Sequence, residues 1–185
     1  MAEYYLISQL PSLDGISDNV PLPITQERFL ELCNRFLGEK AKKALNSLTL
    51  VPEITGEKTG FLLIDSWNEG ERNLRLALAK VRADKLGKQS GPENKSLSTE
   101  LLKIANVVAE MESPLEAENF LNFHRLNFLE TLRPMDAFSQ DFIFYYGLKL
   151  KLILRARQFD TDLGEATYRN IYNSILGGDK PEDIQ

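Results

Sequence analysis

The stretch "YYGLKLKLILRARQFD", from Tyr145 to Asp160, constrains this chain more than any other. At roughly 100° per residue, Ile143, Tyr146, Ile153 and Leu154 gather around Leu150, while Tyr145, Leu148, Leu152 and Ala156 take the opposite side. A helix apolar on two sides needs neighbours on both, because each large aliphatic side chain left in water forfeits about 1.5–3 kcal/mol. The pattern predicts a central helix enclosed by others. An earlier stretch, "WNEGERNLRLALAKVRADKLG" at 67–87, reads the same way. Its main stripe is Leu63, Trp67, Gly70, Leu74, Leu78 and Val81, with Leu76, Ala79, Ala83 and Leu86 across from it. A second two-sided helix is therefore expected. Leu74-Arg75-Leu76 aligns with Leu148-Lys149-Leu150, which suggests a weak internal helical repeat.

The rest of the chain supplies partners for such helices. Thr25 caps a helix carrying Phe29, Leu32, Cys33, Phe36 and Leu37 on one face, closed by Gly38. "EKAKKALNSL" predicts a short basic helix, and "STELLKIANVVAEM" places Leu101, Ile104, Ala105 and Val108 together. In "SPLEAE", Ser113 is an N-cap, Pro114 the first helical residue and Glu116 the third after the cap. That helix is expected to run through Phe120, Phe123, His124 and Phe128 to Leu132, where Arg133-Pro134 stops it. Ser139 caps the helix around Leu150, and Thr161 or Asp162 opens a last one with Tyr168, Ile171, Tyr172 and Ile175 as its stripe.

Between these lie a loop from Pro11 to Pro23, a connection in "VPEITGEKTG", an exposed loop at about 87–97 and a frayed tail at about 178–185. "YYLI" at 4–7, aromatic and aliphatic before "PSLDG", predicts a short extended segment, for which "LTLV" at 48–51 is the best pairing partner. The expected architecture is an all-α multi-helix bundle of six or seven helices in a single domain, 1–185, with an extended N-terminal segment.

Composition narrows the function. Lys and Arg total 22 against 27 Asp and Glu, a net charge of -5 that argues against a nucleic-acid partner. The single cysteine, Cys33, rules out an internal disulfide framework and suits a reducing, cytoplasmic setting. Glu3 stands where a secretory signal would carry positive charge, and "FIFYYGL" falls far below the roughly 20 residues of a spanning helix, so membrane association is expected only through partners.

Catalytic constellations are hard to find. His124 is the lone histidine and has no second nitrogen ligand, so it reads as an ordinary helix residue and no metal site is expected. Glu110, Glu112, Glu116 and Glu118 are the densest acidic group, and a magnesium-dependent helical hydrolase would use such glutamates. Pro114 divides them, however, and acids at a helix N-terminus are favoured by the dipole alone. "GEKTG" lacks the spacing of a phosphate loop, and no cofactor is expected. Cys33 and Trp67 read as core. The cations Arg75, Arg82, Lys149, Lys151, Arg155 and Arg157 lie beside the apolar stripes or at helix ends and are candidates for docking an acidic partner.

"YYLISQLPSL", "SPLEAENFLNFHRLNFLETL" and "YYGLKLKLILRARQFDTDLGEATYRNIYNSIL" together resemble a bacterial family of uncharacterised proteins encoded among V/A-type ATPase subunits. The last stretch is similar, more distantly, to the C subunit of those ATPases, called d in eukaryotes, in its leucine-rich helix ending "LRAR". The C subunit is all-α and seats the rotor shaft on the membrane ring. The resemblance implies a non-catalytic accessory or C-subunit-like component, peripheral to the membrane, whose partners are the rotor shaft or membrane ring. A free-standing helical adaptor is the alternative.

Overall fold

The computed structural model describes residues 2–15, 20–54, 56, 58–88, 97–158 and 161–177. These form α1 (Ala2–Ser8), α2 (Gln26–Phe36), α3 (Glu39–Asn46), α4 (Leu62–Lys85), α5 (Thr99–Glu110), α6 (Pro114–Thr131), α7 (Gln140–Arg157) and α8 (Thr161–Gly177). The chain is all-α, with eight helices and no strand among the described residues. Most of the loop expected at 87–97 and all of the tail expected at 178–185 lie outside the described residues.

The caps expected at Thr25, Ser113 and Ser139 are present, and Ser98 caps α5 in addition. Thr25, Ser98, Ser113 and Ser139 each accept a hydrogen bond from a first-turn N–H, and Pro114 opens α6. At the start of α4 the capping comes from inside the helix. Asp65 accepts from the Thr59 N–H and hydroxyl at 2.8 and 2.9 Å and from the Gly60 N–H at 3.3 Å, which tightens the turn into the helix. Gly60 takes φ +80° there, a conformation that side chains disfavour.

The extended N-terminus is overturned: "YYLI" lies in α1. Leu6 is fully buried and the adjacent Ile7 is partly buried on the same core, so the helix turns two consecutive aliphatic side chains inward where an extended segment would send one of them outward, and Leu10, just past the helix, packs there too. "LTLV" consequently has no strand to pair with. Its carbonyls are met by side chains instead: Leu48 O accepts from Lys151 Nζ at 2.5 Å and Thr49 O from Trp67 Nε1 at 3.3 Å. The helix count exceeds the expected six or seven because of α1.

The two similar stretches occupy different environments. In α7, Ile143 through Leu150 and Leu152 are all buried, as a central helix requires. In α4 the main stripe is covered, together with Ile64, Glu71 and Ala77 beside it, but the opposite side is open: Leu76 and Leu86 are exposed and Ala79 faces water. The expectation of two buried faces fails for α4 because its second face holds two alanines and two leucines, too little apolar area to recruit another helix. No helix is long and apolar enough to cross a membrane among the described residues.

Candidate functional site

The buried side chains fall into two apolar clusters. One gathers α1, α2, α3, the first half of α4, the end of α6 and α7 around Trp67, Phe144 and Leu148. The other joins Leu74, Leu78 and Val81 of α4 to Ala105 and Val108 of α5 and Leu121 of α6. Helical spacing dictates what lies at the seam. Glu71 sits one turn from Trp67 and from Leu74, and Arg125 one turn from Leu121 and from Leu129, so each helix that spans both clusters places a charge between them.

These charges satisfy one another. Arg125 donates through Nε to Glu71 Oε2 at 3.0 Å and through a terminal nitrogen to Glu71 Oε1 at 3.1 Å, a bidentate pair in which Glu71 is 2% and Arg125 6% exposed. Arg75 Nε adds a bond to Glu71 Oε1 at 2.9 Å. The other terminal nitrogen of Arg125 reaches Asn122 Oδ1 at 3.3 Å and Glu118 Oε1 at 3.4 Å, and Arg155 of α7 donates twice to the same Glu118 oxygen, at 3.0 and 2.7 Å. A continuous chain of charge thus ties α4, α6 and α7 together.

A cleft of about 510 Å³ opens beside this layer, between α4, the start of α5 and α6, with Gly70, Leu74, Ser98, His124, Asn127 and Phe128 on its walls. Burial holds His124 below the usual imidazole range, with Glu100 opposing the shift, so the ring is neutral near pH 7. Gly70 lets the α6 ring close in: a Cβ there would fall well inside contact distance of Phe128 Cε1.

A second polar knot fastens α7 to the N-terminal loop. Lys149 Nζ donates to Asp14 at 2.5 Å, to Glu130 at 2.6 Å and to the Tyr145 hydroxyl at 3.2 Å, while that hydroxyl donates to Glu130 at 2.7 Å. Burial alone would lower the Lys149 pKa, but the bonds to Asp14, Glu130 and Tyr145 raise it, so the ammonium is firmly charged.

Placed on the structure, the cations expected to dock a partner separate. Arg75, Lys149 and Arg155 are bound to acids of the chain itself, and Lys151 to a backbone carbonyl. Arg157 is half-buried in the last turn of α7, and Arg82 is exposed near the end of α4. They are divided between α4 and α7. Of the four glutamates, Glu110, Glu112 and Glu116 are exposed, whereas Glu118 is held by Arg155 and Arg125. No three His, Cys, Asp or Glu side chains converge as metal ligands among the described residues. Burial pushes the Cys33 thiol up to about 12, in keeping with its place in the core.

The more conspicuous surface is apolar. Tyr4 of α1 stacks on Phe138 at 4.8 Å between ring centroids, with Tyr5 edge-on to Tyr4 at 6.0 Å. Tyr4, Tyr5, Phe138 and the neighbouring Met135 are each at least half exposed, Met135 completely. This patch escapes sequence reasoning because its two halves are more than a hundred residues apart. The signal available is a methionine and a phenylalanine in the short turn "RPMDAFS", where packing demands neither.

Residues 88–178 are similar to a family described as Protein of unknown function (DUF2764). The matched segment runs from the α4–α5 connection through α8, so it supplies Arg125 and Arg155 of the seam but not Glu71. No curated protein and no solved structure matches the chain.

Proposed function

We propose that this chain is a non-catalytic accessory or C-subunit-like component of a V/A-type ATPase, cytoplasmic and peripheral to the membrane, that docks or braces rotor or stalk subunits. The observation that carries the reading is the exposed aromatic patch of Tyr4, Tyr5 and Phe138, with exposed Met135 three residues from Phe138 in the same turn, on a body whose buried charges are paired internally. A surface of large, rigid side chains fits recognition of another protein and gives no purchase on a small polar substrate. The ATPase is implied by the resemblance of three stretches of the chain to the family encoded beside it. One of them, "YYLISQLPSL", provides Tyr4 and Tyr5, and another, "SPLEAENFLNFHRLNFLETL", ends just before Met135.

The test is copurification from the native host. The tagged chain is expected to retain ATPase subunits under gentle extraction, and a Tyr4→Ala, Phe138→Ala variant to lose them without change in its melting temperature. Recovery of the chain with no ATPase subunit would overturn the assignment, and reproducible recovery with unrelated proteins would favour the free-standing adaptor.

A further inference from the structure

No described residue of α8 belongs to either apolar cluster. Every residue from Thr167 to Ile175 is exposed, and this includes the stripe of Tyr168 (66%), Ile171 (55%), Tyr172 (52%) and Ile175 (69%). A helix of 17 residues gains little from its own hydrogen bonds, so an uncovered stripe of four large side chains points to a partner. The spacing i, i+3, i+4, i+7 is that of a helix-pairing seam, which narrows the partner to another helix.

The arrangement of side chains along the seam selects which helix. The order Tyr, Ile, Tyr, Ile complements itself when reversed. In an antiparallel pair centred between Ile171 and Tyr172, Tyr168 faces Ile175 of the second copy and Ile171 faces Tyr172 of the second copy, so each ring meets an aliphatic side chain. The flanks oppose no like charges: Thr167 and Ser174 are neutral, and the same two-fold relation sets Arg169 beside Ser174 of the second copy. The tyrosine hydroxyls can remain in water at the rim.

We propose that α8 pairs with α8 of a second copy of this chain, antiparallel, through Tyr168, Ile171, Tyr172 and Ile175. The stripe offers on the order of 500 Å² per copy, hence on the order of 1,000 Å² per pair, at the lower limit of a specific interface. An interface this small suits a reversible pair that dissociates on dilution. This inference does not depend on the ATPase assignment, because the full-length chain alone suffices to test it.

Sedimentation equilibrium across a concentration series is expected to show a mass rising from 21.0 kDa towards twice that value. Ile171→Asp and Tyr172→Asp should each hold the chain at the monomer mass while leaving the thermal transition of the body in place. Under mild oxidation, Tyr168→Cys mixed with Ile175→Cys should give a disulfide-linked heterodimer in preference to either homodimer, Cys33 being buried and out of reach. A monomer at all concentrations, a dimer that survives both aspartates, or linkage of Tyr168→Cys to itself in preference would each overturn the proposal.

Discussion

Arg125 holds both carboxylate oxygens of Glu71, at 3.0 and 3.1 Å, across a separation of 54 residues in sequence. The pair lies between two apolar clusters and is largely withdrawn from water, although both side chains border the cleft. An ion pair in such a place adds little net stability over a well-packed apolar substitute, but it makes each partner depend on the other. It also fixes the register of α4 against α6, since a slip of either helix would strand a charge in a hydrophobic layer.

Replacing Arg125 with Met should therefore cost about 3 kcal/mol, the low end for a broken buried pair because Arg75 still bonds Glu71. Urea denaturation monitored by circular dichroism measures it. The double variant Glu71→Leu, Arg125→Met should recover most of the loss. A double loss equal to the sum of the separate Glu71→Leu and Arg125→Met losses would show that the two side chains are not coupled.

Gly70→Ala drives a methyl group into Phe128, whose ring stacks on the buried Trp67 at 6.1 Å and would have to give up that contact to move aside. Overpacking of this kind costs about 1–3 kcal/mol, while alanine returns about 1 kcal/mol of helix propensity. The net effect is a lower melting temperature, and Phe128→Leu in the same chain should restore part of it. A Gly70→Ala protein that melts higher than wild type would mean that α4 and α6 do not approach so closely.

The Lys149 knot makes a contribution that depends on pH. Hydrogen bonding from Lys149 holds Asp14 below its ordinary pKa. Burial would raise Glu130, but bonds from Lys149 and Tyr145 outweigh it and leave that carboxyl lowered too. A carboxyl depressed on folding stabilises the native state above its unfolded value and loses that contribution as pH falls through the folded value. The unfolded values are about 3.9 for Asp and 4.3 for Glu, so the loss occurs below about pH 4.5. Over that range wild type should lose melting temperature more steeply than Lys149→Met. Asp141, raised by burial, acts in the opposite sense in both proteins and cancels from the comparison. Parallel curves would remove the knot from any role in acid stability.

With its thiol pushed up to about 12 by burial, Cys33 should be alkylated at about pH 8 at least a thousandfold more slowly than a free thiol in the folded chain. Labelling should accelerate across the urea unfolding transition and follow the same midpoint as the circular dichroism signal. Rapid labelling without denaturant would place Cys33 outside the core.

Helix positions were readable in the sequence because their signals are local. Thr25, Ser113 and Ser139 announce their helices within four residues, and the two-sided pattern around Leu150 identifies α7 as the central helix without reference to anything distant. Where local preference and burial disagreed, burial won. The aromatic and aliphatic character of Tyr4 to Ile7 favours an extended segment, yet the core has room for Leu6 from a helix, and α1 forms.

The faces of α6 show the same limit from another side. Phe123 is 63% exposed while Asn122 and Arg125 are buried, an inversion of hydropathy that nothing in "NFLNFHRLNF" foretells. It becomes intelligible only with Glu71 and Glu118 in place around Arg125.

The sequence by itself determined that this chain is helical, where most helices begin and which of them is central, because caps and periodicity act over one or two turns. Only the tertiary structure decided which cations are internal struts, which charges share the seam and which aromatic side chains stay on the surface. Those outcomes depend on desolvation and pairing between residues far apart in the chain, and a charge's partner is invisible until folding brings it within reach.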